Sequence, residues 1–187
     1  MIIAGGKLTT YRRMARECIT KTVAMLRDLD GELALQKTTT KHRPLPGADG
    51  LATTDLEGVA AIGRAMMDDH GLDLETATHL CGVYGTRAPI LAAAIAADRA
   101  LGARMDPELP YVWAEVDFAA THDLARTIED VLARRVPLLL VSRDQGLSVV
   151  PRVADILGAR LGWTPELRVR LEADYAAEVA LSRRWRT

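Results

Sequence analysis

After Asp55 the chain breaks into successive runs in which apolar residues recur every three or four positions, each opened by a capping residue or closed by a glycine. That pattern admits few outcomes. A 3.6-residue period gathers such side chains on one side of a helix, whereas a strand would scatter them over both faces. Leu56, Val59, Ala60, Gly63, Met66 and Met67 make the first stripe, closed by Gly71. Asp73 is placed to cap a second helix carrying Leu74, Ala77, Leu80, Cys81 and Tyr84 on one side, stopped by Gly85. Thr86 can cap a third, alanine-rich helix that ends near Gly102 and tolerates Pro89 in its first turn. The tight pair has the outline of a DNA-reading helix-turn-helix. Its second helix, however, offers only Arg87 and Arg99, with Asp98 between them, and a packing hairpin is expected.

Pro107 and Pro110 mark the next connection, and the run from Tyr111 to His122 then carries two periodicities at once. Val112, Ala114, Val116 and Phe118 alternate as in a strand, while Trp113, Val116, Asp117, Ala120 and Asp123 suit a helix. A lone strand would have no partner, so a helix is expected. Thr127 is placed to cap another helix, with Glu129 and Asp130 in its first turn and Arg134 and Arg135 in its last. That charge order suits the helix dipole at both ends, and Asp130 can pair with Arg134 one turn on. Ser148 to Leu161, stopped by Gly162, and Pro165 to Arg184, capped by Thr164, complete the set. Leu167, Leu171, Tyr175 and Val179 form the inner stripe of the last helix.

The opening residues read differently. Met1 to Ile3 resemble the end of a strand, Gly5 and Gly6 permit a sharp turn or positive φ, and Thr9 and Thr10 suit the N-cap of a helix from about Thr10 to Leu29. Tyr11, Met14, Ala15, Cys18, Ile19, Thr22, Met25, Leu26 and Leu29 make its apolar face. Arg12, Arg13, Arg16 and Arg27 fall largely off that face, and those near the start oppose the helix dipole. A strand, a glycine turn and a helix N-terminus aim several N–H groups at one spot, a cup suited to an oxyanion or a partly negative ligand edge, with Lys7 at its lip. Many connections contain two glycines for turn geometry alone, and spacing does not separate the two readings. Residues from Asp30 to Asp55 lack sustained periodicity. Thr38 to Thr40 allow a short strand, and Pro44-Leu45-Pro46-Gly47 is a breaker cluster, which places a domain boundary here.

The run Gly5-Gly6-Lys7-Leu8-Thr9-Thr10-Tyr11-Arg12-Arg13-Met14-Ala15 resembles the C-terminal flavin motif of FAD-dependent glycerol-3-phosphate dehydrogenases. Thr127-Ile128-Glu129-Asp130-Val131-Leu132-Ala133-Arg134-Arg135 is similar to the same family's C-terminal domain signature, although Val136-Pro137 stands where the family usually has a threonine. The resemblance covers nearly the whole chain but only the final third of such an enzyme. Nothing matches the family's opening G-x-G-x-x-G unit, so a truncated enzyme or one half of a split one is expected. The implied fold is mainly α: a helical, orthogonal or bundle-like C-terminal domain at 56–187, a linker at 41–55, and at 1–40 a strand, glycine turn and helix left from the FAD-binding domain. The implied activity is oxidation of glycerol 3-phosphate to dihydroxyacetone phosphate, with electrons leaving to a quinone. Gly5, Gly6, Leu8, Thr9 and Thr10 would lie against FAD and Lys7 would face the substrate, holding its phosphate or the developing oxyanion. The resemblance also favours a buried Asp130–Arg134 pair with Arg135 as a further partner.

The remaining features narrow the alternatives. A net charge of −1 gives no electrostatic reason to expect nucleic acid, and with aromatic residues at 4% the core must come from Leu, Val, Ile, Met and Ala. Cys18 and Cys81 fit no metal or redox spacing and read as buried thiols of a reducing cytosol. His42, His70, His79 and His122 show no metal-like spacing, so no metal is expected. Ala88–Ala97 and Val136–Val141 are too short to span a bilayer, and Met1 to Ala4 lack the basic region of a signal peptide. A cytoplasmic protein is expected, with peripheral membrane contact and a homodimer both allowed. Arg183-Arg184-Trp185-Arg186 is a basic end that reads either as a frayed, solvated helix terminus or as a contact for acidic lipid. The competing class is a non-catalytic helical interaction module or a decayed enzyme, supported by the absent dinucleotide fingerprint.

Overall fold

The computed structural model describes residues 2–31, 34–52 and 55–186. The chain separates into two compact units, 1–43 and 44–187.

In the first unit, Ile2 to Lys7 adopt no regular element, a 3-10 turn covers Leu8–Thr10, and helix α1 runs Tyr11–Asp30. The expected strand end is not formed by Ile2 and Ile3, because the described residues include no second strand to share backbone hydrogen bonds. Met1 lies outside the described residues. Thr38 to Thr40 likewise form no strand; the Arg12 guanidinium donates to the Thr40 carbonyl at 2.9 Å and holds that segment against α1. The helix forms where its periodicity places it, but its apolar face is not covered. No described residue of this unit is buried, and Tyr11, Ile19, Met25, Leu26 and Leu29 are exposed. Cys18, expected to be buried, is only half-buried.

The second unit contains α2 (Leu56–His70), α3 (Leu74–Tyr84), α4 (Ala88–Ala97), α5 (Trp113–His122), a six-residue π-helical segment (Asp130–Arg135), α6 (Leu138–Val141), α7 (Val150–Leu161) and α8 (Pro165–Ser182). The caps follow the sequence. Asp73 accepts from the Thr76 amide at 2.9 Å and Thr164 from the Leu167 amide at 3.2 Å; Asp55 caps α2 through the Gly58 amide at 2.8 Å. Gly71 and Gly162 close α2 and α7 in the left-handed conformation. Thr86 does not cap α4; its amide donates to the Gly47 carbonyl at 2.9 Å, and a 3-10 turn over Gly85–Arg87 leads into the helix. This contact explains Gly85 beyond its role as a stop. Its φ is 55°, and a Cβ there would stand 2.0 Å from the Gly47 oxygen. The hairpin reading of α3 and α4 holds, since Leu80, Ala88, Leu91, Ala92 and Ile95 are all spent on packing.

The stretch Leu74–Ala97 has, at 24 residues and a mean hydropathy of 1.4, the length and composition of a membrane span, although the run Ala88–Ala97 within it is, as expected, too short for one. The structure interrupts it at Gly85 and buries one side of each half, with Leu80, Leu91 and Ile95 in the core, while Leu74, Val83 and Ile90 stay exposed.

Two cores result. One gathers Met66, Leu72, Leu80, Tyr84, Leu91 and Ile95; the other gathers Ile128, Leu132, Leu138, Val153, Leu157, Leu171 and Tyr175. Helix α5 is the wall they share. Ala114 and Phe118 face the first core, whereas Trp113, Val116 and Ala119 face the second. A helix buried on two sides loses its single apolar stripe, which is why this run shows two periodicities in the sequence.

The Thr127 segment is the principal local correction. Its N-terminus is capped reciprocally: Thr127 Oγ1 accepts from the Asp130 amide at 3.0 Å, and Asp130 Oδ2 accepts from the Arg126 and Thr127 amides at 3.0 and 3.1 Å. Its C-terminus widens to a π turn, where the Val136 amide reaches the Val131 carbonyl at 2.8 Å. Pro137, with no N–H to continue the ladder, follows directly. The Asp130–Arg134 pair forms at 3.1 Å, yet with side chains 32% and 54% exposed it is not the buried pair expected. Arg135 donates instead to the Asp123 carbonyl at 3.1 Å.

Candidate functional site

Gly5 and Gly6 take φ of 82° and 100°, a conformation that excludes most side chains and turns the chain into the 3-10 turn. Thr10 secures that turn. Its hydroxyl accepts from the Lys7 amide at 3.1 Å and donates to the Lys7 carbonyl at 3.0 Å, while its own amide donates to the same carbonyl at 2.9 Å. Two amides of the expected cup, those of Lys7 and Thr10, are therefore spent inside the turn. The amides of Leu8 and Thr9 remain as first-turn donors without intrahelical acceptors.

A hollow of about 450 Å³ opens here, lined by Ile3, Gly5, Gly6, Lys7, Tyr11, Met14 and Ala15. Of the six residues singled out from the sequence, the structure brings Gly5, Gly6 and Lys7 to this hollow. Leu8 and Thr9 lie on the exposed turn beside it, and Thr10 is turned into the loop. The two glycines differ. A Cβ at Gly6 would meet Met14 Sδ at 2.1 Å, so Gly6 makes room for a neighbouring side chain. A Cβ at Gly5 would meet nothing within 4 Å, so Gly5 is where backbone presents itself to open space. The lining is an apolar wall with one ammonium at its edge. Such a surface fits one side of a flat heteroaromatic ring and a nearby anion. It holds no built cradle for a pyrophosphate.

A second constellation joins residues far apart in sequence. Glu115 is wholly buried near the start of α5. Its Oε1 accepts from the Val112 amide at 2.8 Å and lies 3.0 Å from His79 Nε2, and its Oε2 accepts from the Tyr84 hydroxyl at 2.9 Å. The Tyr111 ring stands edge-on to His79 with centroids 5.0 Å apart. Burial first, and the facing carboxylate second, push the Tyr84 hydroxyl far above the usual tyrosine range. No local spacing joins these residues in the sequence, since His79 and Tyr84 stand 36 and 31 positions from Glu115. The available signal was a carboxylate set among Trp113, Ala114, Val116 and Phe118. The Glu115 carboxylate is buried and bonded through both oxygens, so the group ties α5 to α3. No metal-binding cluster occurs among the described residues. Cys81 is buried, and desolvation raises its thiol above the ordinary range.

Comparison with known proteins adds the lineage. Residues 38–168 match the family described as the C-terminal domain of alpha-glycerophosphate oxidase. Over 166 residues the chain is 34% identical to the glycerol-3-phosphate dehydrogenase of Synechocystis sp., covering 88% of this chain and 28% of that protein. It is 34% identical over 175 residues to a probable mitochondrial glycerol-3-phosphate dehydrogenase of Caenorhabditis elegans, covering 91% and 23%. It is 28% identical over 184 residues to the alpha-glycerophosphate oxidase of Streptococcus pneumoniae, covering 96% and 29%. The chain thus spans less than a third of the length of these curated relatives. On a family match that takes in most of its second unit, the chain belongs to the glycerol-3-phosphate dehydrogenase and alpha-glycerophosphate oxidase family, whose C-terminal domain it carries.

Proposed function

We propose that this chain serves as the C-terminal part of a flavin-dependent glycerol-3-phosphate dehydrogenase. Residues 1–40 would be the tail of its FAD-binding domain, 41–55 the linker and 56–187 the helical domain. The observation that carries the reading is the state of the first unit. Gly5, Gly6 and Lys7 form one wall of an open hollow, and the helix behind them leaves its apolar face uncovered. Both features call for a complementary body, and a dinucleotide-binding portion beyond these residues would supply the opposite wall and the pyrophosphate site.

In the complete enzyme FAD would accept the hydride from the secondary carbinol carbon, yielding dihydroxyacetone phosphate, and a quinone at the cytoplasmic membrane surface would take the electrons. The tasks of this chain are narrower. Gly5 lets backbone approach the ring, the first-turn amides favour negative charge on a ligand edge, and Lys7 supplies a full positive charge to the substrate phosphate or to the developing oxyanion. With only one wall, the isolated chain is expected to be colourless and inactive.

The test joins the chain to a complete flavin-binding portion. Lys7→Ala should leave flavin content intact and lower turnover of glycerol 3-phosphate by about thirtyfold to a thousandfold, the effect of removing one charge-assisted contact from a dry site. Dye reduction and flavin absorbance measured on the same samples separate chemistry from cofactor loss. Full activity in Lys7→Ala would reduce Lys7 to a surface residue beside a structural turn.

A further inference from the structure

The described residues from Pro44 to Asp55 form no helix or strand, yet they group with the helical unit. What holds them is a close approach of backbone to backbone at the turn between α3 and α4. The Gly47 carbonyl accepts from the Thr86 amide at 2.9 Å. Both sides of this contact require glycine. A Cβ at Gly85 would stand 2.0 Å from the Gly47 oxygen, and a Cβ at Gly47 would stand 2.7 Å from the Tyr84 oxygen. The segment then folds back toward α2. The Ala48 amide donates to the Leu45 carbonyl at 2.9 Å and the Leu51 amide to the Ala48 carbonyl at 3.2 Å. A Cβ at Gly58 would meet Leu51 Cδ2 at 2.8 Å, so the Leu51 side chain lies against the first turn of α2.

The turn beneath this contact is braced from both flanks. On one flank the Tyr84 hydroxyl donates to Glu115 Oε2 at 2.9 Å, and its ring meets Phe118 edge-on with centroids 5.0 Å apart. On the other, the Arg87 guanidinium lies over the Phe118 ring, 4.5 Å from its centroid, and donates to Asp123 Oδ1 at 3.1 Å. Glu115 and Phe118 belong to α5 and Asp123 is its C-cap, so the helix walled by both cores also fixes the turn. Tyr84 carries two of these contacts at once. Its carbonyl faces Gly47, and its hydroxyl is held by the buried carboxylate.

We infer that Gly47 and Gly85 form a clasp that straps the connecting chain to the helical domain, with Tyr84 as the positioning residue that ties the clasp to the buried Glu115 group. On the reading of 41–55 as the join between the flavin-binding tail and the helical domain, on which this inference rests, the join narrows. From Gly47 on, the chain moves as part of the helical domain, which therefore receives its connection at a fixed place. A solvated linker has no use for such a contact, since a glycine that only turns the chain needs no second backbone beside it. Gly50, in the same segment, is of that kind: its φ is 78° and a Cβ there would meet nothing within 4 Å. Gly47 and Gly85, with φ of 92° and 55°, combine the turn with the close approach.

The test reads amide exchange and thermolysin cleavage on the intact chain, neither of which requires flavin or substrate. Thermolysin cuts on the amino side of residues such as Ala48 and Leu51. In the parent, the Thr86 amide should exchange about a hundredfold or more slower than an unstructured amide, and the chain should resist cleavage at Ala48 and Leu51. Gly47→Ala and Gly85→Ala should each raise cleavage there about tenfold or more, and the double variant no more than the stronger single, because both changes open one contact. Gly50→Ala should stay within about twofold of the parent, as it touches no second backbone. Tyr84→Phe should speed Thr86 exchange about tenfold or more beyond any change in the amides of Val150–Leu161. An unprotected Thr86 amide in the parent would overturn the inference even if the glycine variants failed to fold. Additive cleavage in the double variant, release by Gly50→Ala, or a Tyr84→Phe change that moves Thr86 and α7 alike would each overturn it as well. A protected strap in the parent alongside an inactive joined enzyme would support the clasp and count against the flavin reading alone.

Discussion

Helices α1 and α7 present the same signal in sequence and meet opposite fates. Each carries apolar residues at three- and four-residue spacing. In α7 the stripe of Val150, Val153, Ala154 and Leu157 is buried, whereas in α1 no described residue is. Periodicity states which face of a helix is apolar and is silent on what covers it. Burial of a leucine-sized side chain is worth about 1.5–3 kcal/mol, so the covered helix is held by its neighbours and the uncovered one by local propensity alone. The contrast separates a helix whose apolar face is packed from one whose apolar face is exposed.

The contrast can be broken hardest at Glu115, the one buried carboxylate among the described residues. Glu115→Ala would leave the Val112 amide, the Tyr84 hydroxyl and His79 without their shared acceptor, and should cost about 3–5 kcal/mol in a urea melt of the second unit. Next comes a matched pair. Leu157→Ala, in the core, should cost about 2–5 kcal/mol, while Ile19→Ala, on the exposed face of α1, should stay within about 0.5 kcal/mol of zero. Equal costs for the two would erase the difference between the helices.

A smaller effect is expected at the capped π segment. The Asp130 carboxyl is partly desolvated, yet the Arg126 and Thr127 amides and the Thr127 hydroxyl outweigh that burial and hold it below its usual range, with Arg134 assisting. Its folded value is depressed, so its stabilisation is present above the ordinary aspartate range and is lost as pH falls through the folded value. Asp130→Ala should cost about 0.5–2 kcal/mol at neutral pH, the worth of an N-cap, and the gap from the parent should close in acid melts as pH falls below the ordinary aspartate range. A cost that persists unchanged in acid would assign the effect to packing.

Much of the second unit was legible in the sequence because its signals are local. Asp73 and Thr164 cap α3 and α8 through amides three residues on, and Gly71 and Gly162 close the preceding helices α2 and α7. What escaped was long-range or depended on neighbours. Glu115 meets His79 and Tyr84 only after α3 and α5 pack, and α5 loses its stripe by being buried on both sides. The widening before Pro137 was foreshadowed by the departure at Val136-Pro137, though not its π geometry. At the candidate site the positive φ of Gly5 and Gly6 followed from residue type. That Met14 occupies the space beside Gly6, and that Thr10 consumes two of the expected donor and acceptor groups at Lys7, required the folded turn.

The claim that the first unit awaits a covering body is tested most directly by amide hydrogen exchange on the purified chain at a concentration where it is monomeric. The account predicts that the amides of Tyr11–Asp30 exchange with little protection, while those of Val150–Leu161 exchange only by near-global unfolding. Protection of α1 equal to that of α7 in the isolated monomer would contradict it.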